Sequence, residues 1–215
     1  MELSVHCPVM TKQSRSAPVM KAVLDAVAER LLDGDELRIR IPEICQATGV
    51  NYGSVYHHFG SREGVIDAAY EALFCTHAEQ EIARWELLAS AASRESFDAG
   101  LRELLDPANH DAMRVGRAMT TRIVAAAETR PALRGVVVST QTRVSDACSR
   151  ALAYGQSQGW LRADATPQAM AGLVEAVAVR YGAQDLVGEN TSGRADVARL
   201  VWRFLLGARD RDVLN

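Results

Sequence analysis

No run of apolar residues in this 215-residue chain is long enough to cross a bilayer; Val136–Val138 is typical, where about twenty residues are needed. There is no basic excess either. Lys and Arg number 24 against 27 Asp and Glu, a net charge of −3, which excludes a surface coated for indiscriminate nucleic-acid binding and leaves only a local anion-binding face. No Cys-x-x-Cys pair occurs. Cys7, Cys45, Cys75 and Cys148 are scattered as in a protein of reduced thiols, not a disulfide framework. The first twenty residues lack a basic start followed by an apolar block, so no secretory leader is expected and the expected location is the cytoplasm. Strand signals are nearly absent. The β-branched stretch Gly135–Val144 has helix-forming neighbours and no segment to pair with, and is read as helix.

What is present has the balance of a globular chain, 48% hydrophobic and 24% charged, with helical periodicity almost throughout. A first helix opens at Pro18 and carries Val19, Val23, Ala26, Val27 and Leu31 along one side before Asp33-Gly34-Asp35 ends it. A second, short helix starts near Pro42 and points Ile41, Ile44 and Cys45 inward until Thr48-Gly49. Asn51 then caps a third that runs to Phe59. Ser61 caps a fourth, with Val65, Ile66, Ala69, Tyr70, Leu73 and Phe74 as its apolar stripe. No Gly or Pro interrupts it between Gly64 and Gly100, so it is expected to reach about Ala91. Further helices are expected over about 97–105, 111–129, 133–158, 167–187 and 195–206, separated by Pro- and Gly-containing breaks.

Residues 48–59, TGVNYGSVYHHF, are too polar for a buried helix and contain no acid with which the two histidines could pair. Two short helices joined by Thr48-Gly49-Val50-Asn51 form a helix-turn-helix, in which Gly49 supplies a positive φ and Val50 fills the angle between the helices. The second helix of such a pair enters the DNA major groove N-terminus first. Gly53 then allows close backbone approach, Ser54 and Tyr56 offer hydroxyls to phosphate, His57 and His58 are donors, and Asn51 and Tyr52 stand where sequence is read.

The run Ile41–Ile66 resembles the N-terminal domain of the tetracycline-repressor (TetR) family of transcriptional regulators. Glu43, Ile44, Gly49, Val50, Gly53, Tyr56, His58, Phe59, Ser61 and Glu63 match the family pattern in register. Arg40 stands where the family has a capping Thr and could reach the same phosphate; Tyr52 replaces a frequent Lys; Arg62 keeps the cation after Ser61. Residues 1–66 carry seven Lys and Arg against eight Asp and Glu, which predicts few, focused phosphate contacts.

The resemblance implies an all-α protein: an N-terminal arm over 1–17 expected to be mobile, a helix-turn-helix domain over 18–64, and an effector-binding and dimerisation domain over 65–215. It implies a double-stranded DNA operator, a small-molecule effector and a homodimer as partners, with no membrane, no metal and no cofactor. Small residues Ala169, Gly172, Ala176 and Gly182 on one helix, and Val197, Leu200, Val201, Phe204 and Leu205 on the last, suit close packing between subunits. Trp85, Met119, Tyr154 and Tyr181 fall on helices that line the effector pocket in this family.

Competing signals are weaker. Gly155-Gln-Ser-Gln-Gly159 matches a nucleophile elbow around Ser157, but helical sequence precedes it and no His follows His110, so no catalytic residue is expected. Cys75, His77 and Glu79 crowd within about one helical turn without a second cluster, and are read as ordinary side chains and not as metal ligands. Asn190-Thr-Ser192 is a glycosylation sequon without meaning in a protein that is not secreted. A protein that sequesters a small molecule behind a vestigial helix-turn-helix is the alternative reading.

Overall fold

The computed structural model describes residues 17–34, 36–105, 114–187 and 193–207. The N-terminal arm with Cys7, His110 and the sequon at Asn190 lie outside the described residues. Those described form helices: α1 (Ala17–Leu32), a 3-10 turn (Glu36–Arg38), α2 (Ile41–Thr48), α3 (Tyr52–Phe59), α4 (Arg62–Leu88), α5 (Arg94–Leu105), α6 (Arg114–Ala127), α7 (Pro131–Ser157), α8 (Pro167–Val187) and α9 (Arg194–Leu206). No strand occurs among them, and Gly135–Val144 lies inside α7. The chain divides into two compact units, residues up to Thr76 with Ile123–Val137, and His77–Arg122 with Val138 onward.

In the first unit α1 packs on α2 and α2 on α3. The buried side of α1 is Met20, Val23, Leu24, Val27 and Leu31, whereas Val19 is 43% exposed. Counting back from Leu31 in helical turns reaches Met20 and not Val19, so the expected stripe is shifted by one residue at its start. Ile39, Ile41, Ile44, Val55, Val65, Ile66 and Ala69 are fully or almost fully buried and complete this small core.

The second unit has a larger core, in which Trp85, Phe97, Leu101, Ala147, Cys148, Ala151, Leu152, Met170, Ala171, Trp202 and Leu205 are buried together. α5 begins three residues earlier than expected. Ser93 and Ser96 cap it reciprocally, Ser96 N–H donating to Ser93 Oγ at 3.2 Å and Ser93 N–H to Ser96 Oγ at 3.1 Å. Gly155 is required by packing: a Cβ there would lie 2.6 Å from Phe97 Cζ and 2.9 Å from Leu161 Cδ1. Gly159, at φ 72°, follows the end of α7. Of the two glycines of the apparent nucleophile elbow, Gly155 therefore serves packing and Gly159 the helix terminus, and Ser157 Oγ donates to the Tyr154 carbonyl at 2.7 Å.

Candidate nucleic-acid interface

The turn between α2 and α3 is built by its sequence. Gly49 takes φ 70°, ψ 14°, and Val50 N–H donates back to the Cys45 carbonyl at 3.1 Å, the longer bond of a Schellman motif. Val50 is only 8% exposed and closes the angle between the helices. Arg40, at the N-cap position before α2, makes no side-chain cap; Pro42 suits the first turn, and the Arg40 guanidinium donates instead to the Leu37 carbonyl at 3.1 Å.

Asn51 caps α3, its Oδ1 accepting from Gly53 N–H at 2.8 Å and Ser54 N–H at 3.4 Å. Gly53 gives that cap its room, since a Cβ would stand 3.1 Å from the capping oxygen. Val55 is buried, while Asn51, Tyr52, Gly53, Ser54, His57 and His58 are exposed and Tyr56 half-exposed. Tyr52 and Tyr56, one turn apart, tilt their rings together at 4.5 Å. The Tyr56 phenol is held above its ordinary pKa first by its hydrogen bond with Tyr52 and then by burial. The exposed side of α3 thus presents hydroxyls, two imidazoles and an uncluttered backbone at a helix N-terminus.

Arg62, named from the sequence among the DNA-binding residues, also has a structural role. Its Nε donates to the Ile39 carbonyl at 3.1 Å and its Nη2 to the Glu36 carbonyl at 2.6 Å, strapping the start of α4 to the turn before α2. The Glu36 carbonyl also accepts the closing bond of the 3-10 turn from Ile39 N–H at 3.2 Å, so the guanidinium fork adds a second donor to it while taking the Ile39 carbonyl beside it. Ser61 caps α4 through Gly64 N–H at 3.0 Å.

Sequence reasoning missed Glu36, Asp67, Tyr70 and Arg130, which brace this head. Arg130 Nη1 donates to Asp67 Oδ1 at 2.7 Å, its guanidinium lies 5.4 Å from the Tyr70 ring centre, and Tyr70 O–H donates to Glu36 Oε2 at 2.8 Å. No local pattern announces residues that meet from such distant positions.

Two of the four effector-pocket candidates share the large core of the second unit, Trp85 within it and Tyr154 packed against it. Tyr154 O–H donates to the Ala91 carbonyl at 2.6 Å, and its ring meets Trp160 edge-on at 5.6 Å. Tyr181 O–H donates to the Arg194 carbonyl at 3.1 Å, and Met119 is buried on α6. Of the ligand triplet weighed above, Cys75 is buried and Glu79 is paired with Arg143 at 2.6 Å. No group of three or more His, Cys, Asp or Glu placed to hold a metal ion occurs among the described residues.

Comparison with known proteins agrees with this geometry. Residues 37–69 match the model for bacterial regulatory proteins of the tetR family. The chain is 30% identical over 203 residues to the A-factor receptor protein of Streptomyces griseus, covering 92% of this chain and 66% of that protein, about two thirds of its length. It is 26% identical over 157 residues to the HTH-type transcriptional repressor AcnR of Corynebacterium glutamicum, covering 73% of this chain and 76% of that one. Its fold is shared with a TetR-family transcriptional regulator from Mesorhizobium loti, at TM-score 0.68 and 15% identity over 88% of this chain and 94% of the other. A capped, exposed α3 behind a Schellman turn, a family match spanning α2, α3 and the start of α4, and a relative similar along nearly the whole chain lead to one conclusion: the chain belongs to the tetR family of bacterial regulatory proteins.

Proposed function

We propose that the protein is a ligand-responsive transcriptional regulator, a repressor that binds a palindromic operator as a cytoplasmic homodimer and leaves it when a small molecule binds. The observation that carries this reading is the exposed face of α3, capped by Asn51 and bearing Tyr52, Gly53, Ser54, Tyr56, His57 and His58. Tyr52 and the N-terminus of α3 are assigned to base edges, and Ser54, His57, His58 and Arg40 to phosphates. Arg62 is kept among the proposed DNA contacts, and its bonds to the Ile39 and Glu36 carbonyls support a second role in positioning the start of α4. A similar protein named as a receptor and another named as a repressor support ligand response and negative control.

Dimerisation is supported by Ala169, Gly172 and Ala176 on α8, exposed together with Val179 at helical spacing, and by Leu200 on α9, itself 63% exposed, whereas Gly182, Val201 and Leu205 from the expected set are buried within the subunit. A two-fold dimer gives one reading helix per half-site. Trp85, Met119, Tyr154 and Tyr181 are proposed for the effector only as members of the surrounding core.

The test is an unbiased DNA selection with the purified protein, repeated with Tyr52→Ala and His58→Ala. A two-fold symmetric site should be enriched, with base preference changed by Tyr52→Ala and affinity lowered evenly across sequences by His58→Ala. Failure to enrich any site at low salt would remove the DNA-binding reading and favour a ligand-sequestering protein.

A further inference from the structure

Arg194 opens α9 with its side chain only 3% exposed. Its Nη2 donates to Asp185 Oδ1 at 2.8 Å, yet Nε and Nη1 are sealed from solvent and have no acceptor. Between them those two nitrogens carry three of the five N–H donors of a guanidinium. A buried charge with donors left over is among the more expensive arrangements in a protein, and such groups persist where something else completes them.

The neighbours hold the guanidinium in place without satisfying it. Asp185, 1% exposed, gives its other oxygen to Arg117, with Nε at 2.9 Å and Nη2 at 2.7 Å, so one carboxylate is shared between two buried guanidiniums. Tyr181, one turn before Asp185 on α8, lies under Arg194 with its ring centre 5.1 Å from Cζ. A ring face attracts the charge but offers no in-plane acceptor to the unused N–H groups. Gly182 brings the α8 backbone against α6, where a Cβ would fall 2.6 Å from Thr121 Oγ1 and 3.5 Å from the Arg117 carbonyl oxygen. The imidazole of His77, packed against Gly116 on α6, is kept below its ordinary pKa first by burial and then by the charges of Arg84 and Arg117.

We propose that Arg194 anchors the carboxylate of an organic effector, oriented by Asp185 and backed by Tyr181. This deepens the regulator reading and rests on it for the word effector. A planar monoanion suits the site: its two oxygens match guanidinium edges, and a single charge answers the share of positive charge that Asp185 divides between two arginines. Because Arg194 is enclosed, the anion enters only as the surrounding helices shift, so binding selects an arrangement different from the empty one. α6 carries Arg117 near its start and Ile123–Ala127, which belong to the DNA-binding unit, at its end.

The experiment uses the full-length protein with hexanoate, decanoate and phenylacetate, each beside its methyl ester, and with chloride and inorganic phosphate, read by calorimetry and thermal unfolding. At least one carboxylate should bind saturably and raise Tm, with its ester weaker by about 30-fold or more, as loss of a buried charged contact predicts. Arg194→Met should remove that binding, and Arg194→Lys should retain part of it. Should Arg194→Met fail to fold by circular dichroism, the acid-against-ester comparison on the unaltered protein and Arg194→Lys still decide. Absence of binding by all three acids, equal binding of acid and ester, equal stabilisation by the inorganic anions, or unchanged binding in folded Arg194→Met would each overturn the proposal. The DNA selection separates the two readings: a protein that selects an operator but ignores carboxylates keeps its regulator role and loses this site. One that binds a carboxylate through Arg194 but selects no DNA keeps the site and loses the regulator role.

Discussion

Arg130 Nη2 donates to Glu36 Oε1 at 2.5 Å, joining the chain between α6 and α7 to the turn that leads into α2 across 94 positions of sequence. Burial works against the charge of this guanidinium, but its bonds with Glu36 and Asp67 more than reverse that and raise its pKa. The pairs are partly enclosed, with Arg130 21% and each carboxylate 29% exposed, so they outweigh an ordinary surface ion pair. Replacing Arg130 by Met leaves two carboxylates facing each other across the vacated site. The expected loss is about 2 kcal/mol of stability, measured as a lower urea midpoint. An unchanged midpoint would mean that the pairs form without holding the head together.

Asn51 has two jobs that can be separated. Its side-chain oxygen caps α3, so Asn51→Ala should cost about 1 kcal/mol of stability along with operator affinity. Asp caps a helix as well as Asn does and suits the helix dipole, so Asn51→Asp should fold with nearly unchanged stability. It also places a negative charge on the face assigned to DNA. Operator binding should therefore fall by about tenfold or more at low salt, and the deficit should shrink as salt screens the repulsion. Equal DNA affinity of Asn51→Asp and the parent protein at low salt would move the contact surface away from the N-terminus of α3.

Local chemistry explains which parts of the structure were legible in the sequence. Gly49, Asn51 and Ser61 act within a few residues of themselves, so the turn, the α3 cap and the start of α4 could be read directly. The Ser93–Ser96 box was equally local and shows why α5 begins at Arg94, but two serines separated by three are a weaker signal than a proline. Arg62 is the instructive residue at the interface. Its position after Ser61 was visible, but not its direction, because the carbonyls that claim it come from a 3-10 turn more than twenty residues earlier. Arg130 with Glu36, and Arg117 and Arg194 with Asp185, are joined only by the tertiary fold, and no periodicity marks them.

Gly64 sets the fit between α3 and α4. A Cβ there would stand 2.0 Å from the Phe59 carbonyl oxygen and 3.2 Å from its carbon, both backbone atoms that cannot swing aside. Gly64→Ala must therefore push the end of α3 away from the first turn of α4. A loss of about 1–3 kcal/mol is expected from such overpacking. Operator affinity should fall further than that of an equally destabilised variant of the second unit, since the displaced element is the reading helix. A Gly64→Ala protein with parental Tm and parental DNA binding would show that the junction yields freely.

Glu81 gives the second unit a pH dependence whose sign can be worked out. Burial, followed by the charge of Glu175, holds its carboxyl above the ordinary 4.5, while the hydrogen bond with Trp85 and the charge of Arg84 pull the other way. Glu175 Oε1 is itself buried without a partner, and the Cys148 thiol is pushed up by burial and by both acids. Below the ordinary value Glu81 is protonated folded and unfolded, and its contribution to stability is complete. As pH rises through 4.5 and on through the raised folded-state value, the unfolded chain releases its proton more readily and that contribution is lost. Glu81→Gln keeps the shape and an acceptor for Trp85 but cannot ionise. It should have a higher Tm than the parent at pH 8 and a nearly equal one at pH 4. His77, whose lowered pKa acts with the opposite sign below its ordinary 6.5, is present in both proteins and largely cancels from the difference. If scanning calorimetry gave the same Glu81→Gln increment at both pH values, proton release from Glu81 would not be what weakens this core at neutral pH.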